Sequence, residues 1–210
     1  MLLADLTGHG VTAALFMALL KYISQETPEE VRVLPGYFLN YLDMEFYGQI
    51  PNGFFTAFAA TAHYNEKRQV VEIDYSNAAH PVSIIIRTDG SYELLESGHF
   101  AIGLMDLVER KPHTNDLNFG DRLYAYTDGF LESIDPDGNE FGLEALCKTL
   151  AAHRHLPLKD SIQKAYDALA SFSQSDEPQD DLTILAIEAR PKPQNELDPL
   201  DPNEDPWDFN

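Results

Sequence analysis

FFTAFAATAHYNEKRQVVEIDYSNAAHPVSIIIRTDGSYELLE, residues 54–96, decides the fold. Two largely apolar stretches, FFTAFAATAHY and QVVEIDYSN, flank the polar Asn65-Glu66-Lys67-Arg68, and Asn52-Gly53 marks a turn ahead of them. That pattern predicts a β-hairpin. Asp89-Gly90 between VSIIIRT and SYELLE is the strongest short hairpin signal in the chain and predicts a second antiparallel pair. Thr56 and the aromatics Phe54, Phe55 and Phe58 alternate as a strand with one buried face should, which assigns them to core before pocket.

Outward from this meander the periodicity changes. Upstream, Leu2-Leu3-Ala4 reads as the last residues of a strand, and VTAALFMALLKYISQE after Gly10 reads as a helix of roughly four turns. Thr27-Pro28-Glu29-Glu30 supplies an N-cap, Pro at the first helical position and an acid at the third, so a second helix follows, best patterned over residues 35–47. Its stripe of Tyr37, Phe38, Tyr41, Leu42 and Phe46 is ordinarily core. Downstream, residues 107–110 and 122–127 read as strands, 141–153 and 158–172 as helices, and LTILAIEA as a closing strand. Asp135-Pro136-Asp137-Gly138-Asn139-Glu140 lacks the spaced ligands and final Glu of an EF-hand and reads as a turn. Helices, then a strand meander, then helices and a last strand predict an α+β sandwich of largely antiparallel sheets, not a βαβ repeat.

Composition narrows the function. At 210 residues and 44% hydrophobic content the chain can bury one full core. A formal charge of −21 argues against phosphate backbones and anionic lipid, so neither nucleic acid nor a membrane is an expected partner. Residues 191–210 hold six acids against Lys192, a net −5, which leaves −16 on residues 1–190. These two ranges are the expected organisation: one folded domain, then an acidic, Pro-rich tail too poor in apolar residues to order itself. Within the tail, Pro206-Trp207-Asp208-Phe209 reads as a solvated end before a docking peptide. The single Cys147 excludes an internal disulfide and a Cys-based zinc site, and its helical surroundings make it packing. Residues 11–23, the longest apolar stretch, are too short to span a bilayer and are interrupted by Lys21; the expected location is cytoplasmic.

Three acidic signatures then stand out: Asp5-Leu6-Thr7-Gly8-His9-Gly10, Thr127-Asp128-Gly129 and Asp180-Asp181-Leu182-Thr183. Each adjoins an apolar run that reads as a buried strand, so each delivers a carboxylate to a strand end. Carboxylates gathered there suit hard divalent ions, which prefer oxygen ligands, retain several waters and commonly meet a substrate phosphate. No serine has an obvious neighbouring His and Asp, and Cys147 lies away from the motifs, so a protein nucleophile is not expected. His9 and His80 are candidates for donating a proton to a leaving oxygen or for holding a ligand through a hydrogen bond, with a structural role the better assignment for His80.

DLTGHGVTAALFMA, NAAHPVSIIIR, LYAYTDGFLES and DDLTILAIE, in that order and spacing, resemble the SpoIIE/RsbU-like branch of the PPM metal-dependent protein serine/threonine phosphatases. The resemblance runs from Leu2 to about Glu188. It implies an αββα sandwich, a binuclear Mn²⁺ or Mg²⁺ centre, and hydrolysis of phosphoserine or phosphothreonine on a small regulatory protein, typically an anti-sigma-factor antagonist. Carried over by position, Asp5 resembles the carboxylate that bridges two metals, the Leu6 carbonyl a ligand of the second, and Asp128 and Asp180 the remaining ligands of the first. Asp181 matches a family position held by Asp or Asn, a ligand or a residue that orients one. Gly129 keeps the backbone beside Asp128 free of a side chain, and Gly8 and Gly10 let the turn pass near the site.

The family also carries a Gly-Gly-Asp type motif upstream of the first block, and no such segment precedes Asp5 here. The expectation is therefore an N-terminally shortened domain with an incomplete second metal site and a sheet edge open to a second copy. The rival reading is a phosphatase-like binding module that sequesters a signalling partner without hydrolysis.

Overall fold

The computed structural model describes residues 1–8, 10–50, 53–95, 98, 100–105, 109–175 and 178–191. Among these residues, eight strands and six helices follow the order β1 Leu2–Leu6, α1 Val11–Glu26, α2 Glu29–Arg32, α3 Pro35–Phe46, β2 Phe55–Asn65, β3 Val70–Ala78, β4 Ser83–Ile86, β5 Tyr92–Leu95, β6 His113–Leu117, β7 Arg122–Tyr126, α4 Gly129–Glu132, α5 Gly142–Ala152, α6 Leu158–Ser173 and β8 Ile184–Glu188. One sheet runs β1-β2-β3-β6 and the other β5-β4-β7-β8, with every ladder antiparallel. Three apolar layers hold them. Leu3, Phe58, Ile73, Ile85 and Leu123 fill the space between the sheets. Leu20, Phe38 and Leu42 cover the outer face of the first sheet at Phe55, Ala57 and Ala59. Leu146, Leu150 and Leu169 cover the second sheet at Ile84, Tyr124 and Tyr126. The result is the expected helix–sheet–sheet–helix stack.

Both hairpins form as read, β2 with β3 and β4 with β5. Yet β2 has two buried faces: Phe58 points between the sheets while Phe55 and Ala57 point under the helices. A strand inside a sandwich is covered on both sides, so the one-sided reading of Phe54, Phe55, Thr56 and Phe58 fails for that reason. The strand expected at residues 107–110 is instead β6, His113–Leu117. Residues 106–108 lie outside those described, and Glu109 and Arg110 are not in a strand. β6 buries only Leu117 fully; its pairing with Val71–Tyr75 of β3 fixes it, not an apolar pattern. Thr27 closes α1 instead of opening α2, since its hydroxyl and its amide both donate to the Ile23 carbonyl, at 2.7 and 2.9 Å. On α3 the stripe splits: Phe38, Leu42 and Phe46 are core, whereas Tyr37 is exposed and Tyr41 half-buried. Residues 135–140 form a turn in which Asp135 accepts the amides of Asp137 and Asn139.

Cys147 is buried among the α5 and α6 side chains, and burial pushes its thiol up to about 11. Among the described residues no helix is long and apolar enough to cross a membrane. Of the expected tail, residues 191–210, all but Pro191 lie outside the described residues.

A buried ion pair fastens the crossing from β5 to β6 onto α3. The Arg110 guanidinium donates to Asp43 and, through Nη2, to the Phe100 carbonyl at 2.8 Å, while Asp43 accepts the Gly103 amide at 3.1 Å. Ile102 then exchanges two backbone bonds with Phe55, at 2.8 and 3.1 Å. The start of β2 is thereby held from both sides, by Ile102 and by Leu6 of β1.

Candidate metal centre

The acidic motifs meet at one end of the layer between the sheets. Asp5 lies on β1, in register with Thr56 of β2, and shares the inward face with Leu3. The turn that follows is stitched to β2: the Thr7 amide and hydroxyl donate to the Phe54 carbonyl at 3.0 and 2.9 Å, and the Phe54 amide donates to the Thr7 hydroxyl at 3.0 Å. Gly8 and Gly10 adopt φ of 98° and 85°, with open space where a Cβ would stand. Backbone conformation, not crowding, therefore calls for glycine at both positions.

Asp128 follows β7 and precedes the single turn of α4. Asp180 and Asp181 lie just ahead of β8, and six hydrogen bonds fix their loop. Thr127 donates its hydroxyl to the Asp181 carbonyl at 2.8 Å and accepts the Thr183 amide at 2.9 Å. The Tyr166 hydroxyl donates to the Leu182 carbonyl at 3.1 Å. The Gln179 amide clasps the Ile134 backbone, accepting its N–H at 2.8 Å and donating to its carbonyl at 3.3 Å. Asp180 Oδ1 accepts the Asp181 amide at 2.7 Å. Gly129 lets this loop close in, because a Cβ there would stand 2.8 Å from the Asp181 carbonyl oxygen and 3.3 Å from the Asp180 Cβ.

Asp5, Leu6, Thr56, Asp128, Asp180 and Asp181 line one open cleft of about 990 Å³. Their charges interact: burial first, then the carboxylates of Asp128, Asp180 and Asp181, push the Asp5 carboxyl up to about 6, against a smaller opposing effect of the Leu6 amide. Among the described residues no three acidic, His or Cys side chains close into a finished ligand cage. The donor set still fits a hard divalent ion. It consists of oxygens alone, it opens to water, and its mutual repulsion is what a dication would relieve.

Asp5, Leu6, Asp128, Asp180 and Asp181, which the sequence holds in three separate motifs, thus line one cleft. His9 lies outside the described residues. His80 is not among the residues that line the cleft; it is buried, with Nδ1 at hydrogen-bonding distance from the Thr56 hydroxyl. Phe54 and Thr56, assigned by their alternation to core before pocket, line the cleft instead, and Thr127, Tyr166 and Gln179 were not singled out as site residues. Only Thr127 carried a local signal, its place beside Asp128.

Residues 1–190 match the family model described as Stage II sporulation protein E (SpoIIE). The chain belongs to the SpoIIE family. Phosphoserine phosphatase RsbU of Bacillus subtilis (strain 168) is 24% identical over 188 residues, covering 88% of this chain and 54% of RsbU, so the chain spans about half the length of that relative. Among solved structures, the SiaA-PP2C domain of Pseudomonas aeruginosa superposes with a TM-score of 0.73 at 23% identity, over 89% of this chain and 74% of SiaA-PP2C. The catalytic domain of the serine threonine protein phosphatase PstP, solved with two manganese ions, superposes with a TM-score of 0.58 at 14% identity, over 90% of this chain and 87% of that domain. These likenesses place the SpoIIE-family chain in the α+β fold of PP2C-type phosphatases.

Proposed function

We propose that this SpoIIE-family chain is a metal-dependent protein phosphoserine/phosphothreonine phosphatase. The observation that carries the reading is the meeting of Asp5, Asp128, Asp180 and Asp181 in one cleft, where burial and then the neighbouring carboxylates raise the Asp5 pKa. The manganese ions held by the PstP domain support Mn²⁺ or Mg²⁺ as the ion. The RsbU likeness supports a phosphoserine protein as substrate, and a small regulatory protein of the anti-sigma-factor antagonist type is the proposed partner.

Asp5, the Leu6 carbonyl, Asp128 and Asp180 would hold the ions, with Asp181 as a fifth donor or as the residue that orients Asp180. Bound divalent ions supply a water acidified towards neutral pH and offset charge on the phosphoryl oxygens. The remaining work falls to the chain. Strand β1 fixes Asp5 against β2, Thr127 and Gly129 bring the Asp180–Asp181 loop beside Asp128, and the open cleft admits a side chain carried on another protein. Phe54 and Tyr166 line the same cleft and would give it an apolar surface beside the acids.

The test is manganese-dependent phosphate release from p-nitrophenyl phosphate by the chain and by Asp128→Asn. Release that requires Mn²⁺ and vanishes in Asp128→Asn is expected. A chain that binds Mn²⁺ without any release, in the presence of a phosphorylated partner as well, would leave the binding-module reading in its place.

A further inference from the structure

Behind the carboxylates lies a buried pair that the motifs do not explain. Thr56 lines the cleft, directly opposite Asp5 in the β1–β2 ladder, where facing side chains stand about 5 Å apart. Its hydroxyl is 2.8 Å from His80 Nδ1. His80 is 5% exposed and locked from the other end: its amide donates to Asn77 Oδ1 at 2.7 Å, and Asn77 Nδ2 donates back to the His80 carbonyl at 2.9 Å. Ala79 between them takes φ of 56°, a left-handed conformation that a non-glycine residue adopts at a cost of about 1 kcal/mol. The chain accepts that cost at the turn that sends the His80 ring inward.

The ring also spans the two sheets. Nδ1 reaches β2, which carries Thr56 opposite Asp5. Among the described residues Nε2 has no partner at hydrogen-bonding geometry, and the backbone of Tyr126 on β7, two residues before Asp128, favours the protonated ring, as a carbonyl acceptor does. A carbonyl only accepts, so the Nε2–H tautomer suits this site and leaves Nδ1 as an acceptor. The Thr56 O–H then donates to Nδ1, and the Thr56 oxygen turns its lone pairs to the cleft. Burial keeps His80 neutral, with its pKa lowered to about 4, so this arrangement holds across the neutral range.

We infer that Thr56 accepts a hydrogen bond from a water in the carboxylate cleft and so orients it, and that His80 is the positioning residue that holds the Thr56 proton away from that water. For the chemistry it serves, the inference rests on the phosphatase reading; for its geometry it does not. A hydroxyl with its own proton committed elsewhere acts as a fixed acceptor. Next to Asp5, such an acceptor selects one orientation of a water and aims the lone pair opposite its bonded proton.

The experiment uses the full chain with Thr56→Val, which keeps shape and removes the hydroxyl, Thr56→Ser, which restores it, and His80→Gln. Three readouts are taken: ring ¹⁵N shifts of His80 without metal, water-proton relaxation and Mn²⁺ affinity with Mn²⁺ alone, and kcat and KM for p-nitrophenyl phosphate. The inference predicts an unprotonated Nδ1 whose shift moves in Thr56→Val, and a changed Mn²⁺-dependent water relaxation in Thr56→Val with Mn²⁺ affinity kept within about threefold. It also predicts kcat lowered about ten- to a hundredfold with KM little altered, and recovery of all three in Thr56→Ser. His80→Gln, whose side-chain oxygen can still accept from Thr56, should lose less kcat than Thr56→Val. A protonated Nδ1, or relaxation and kcat in Thr56→Val equal to the parent, overturns the inference. If the Mn²⁺-loaded parent turned over no phosphoester, the phosphatase reading alone would fall, and the ring shifts and relaxation would still decide this one.

Discussion

At Gly129 one missing methyl sets the distance between two acidic segments. A Cβ there would stand 2.8 Å from the Asp181 backbone oxygen, and that oxygen is already held by Thr127. Gly129→Ala must therefore push the Asp180–Asp181 loop away from Asp128. Mn²⁺ affinity measured by calorimetry should fall about tenfold or more, with a smaller effect on thermal stability. His80 gives a pH prediction. Its pKa drops from 6.5 to about 4 on folding, so between those values the unfolded chain binds a proton that the folded chain refuses. Stability is therefore full above pH 6.5 and declines as pH falls towards 4, by at most about 3 kcal/mol from this residue. Urea unfolding of the metal-free parent and of His80→Gln across that range should show a shallower decline in the variant. The acids were legible in the sequence because each sits in a short motif at a strand end. Thr56 and Gln179 were not, since their partners, His80 and Ile134, lie 24 and 45 residues away and no local pattern links them.

Elements built by their own periodicity were read well, and those built by neighbours were not. Helices α1, α3, α5 and α6 and both hairpins carry apolar spacing of their own. β6, with the sequence His-Thr-Asn-Asp-Leu, is a strand only because β3 offers it a ladder, and α4 is a single turn that Asp128 and the Asp181 loop shape from outside. The α3 surface holds another long-range choice, the pair of Asp43 and Arg110, whose side chains are 3% and 0% exposed. Removing one member of a buried pair strands the other charge away from water. Asp43→Ala should cost about 3–5 kcal/mol in urea unfolding, more than the typical effect of a surface substitution. A loss below about 1 kcal/mol would mean that Arg110 finds water or another acceptor.

For the whole molecule, the order of helices and strands sufficed to predict the layered sandwich, because a meander with helices at either end has few other ways to cover two sheets. What that order could not supply was which sheet each strand joins: β4 pairs with β7, 36 positions on, and β6 crosses back to β3. We propose that residues 1–190, the range matched by the family model, form a self-sufficient folding unit. Deleting residues 191–210 should then leave the melting temperature and Mn²⁺ affinity unchanged, whereas a fall in either would assign the acidic end a place in the domain. The central claim concerns chemistry at the meeting point of the two sheets, and it turns on Asp5, whose carboxyl is pushed up to about 6 by burial and then by its acidic neighbours. The most direct measurement is phosphate release from a phosphoserine peptide as a function of Mn²⁺ concentration, for the parent and for Asp5→Asn. Release that saturates with Mn²⁺ in the parent and drops to background in Asp5→Asn is the predicted result; release that ignores Mn²⁺, or that survives in Asp5→Asn, would contradict it.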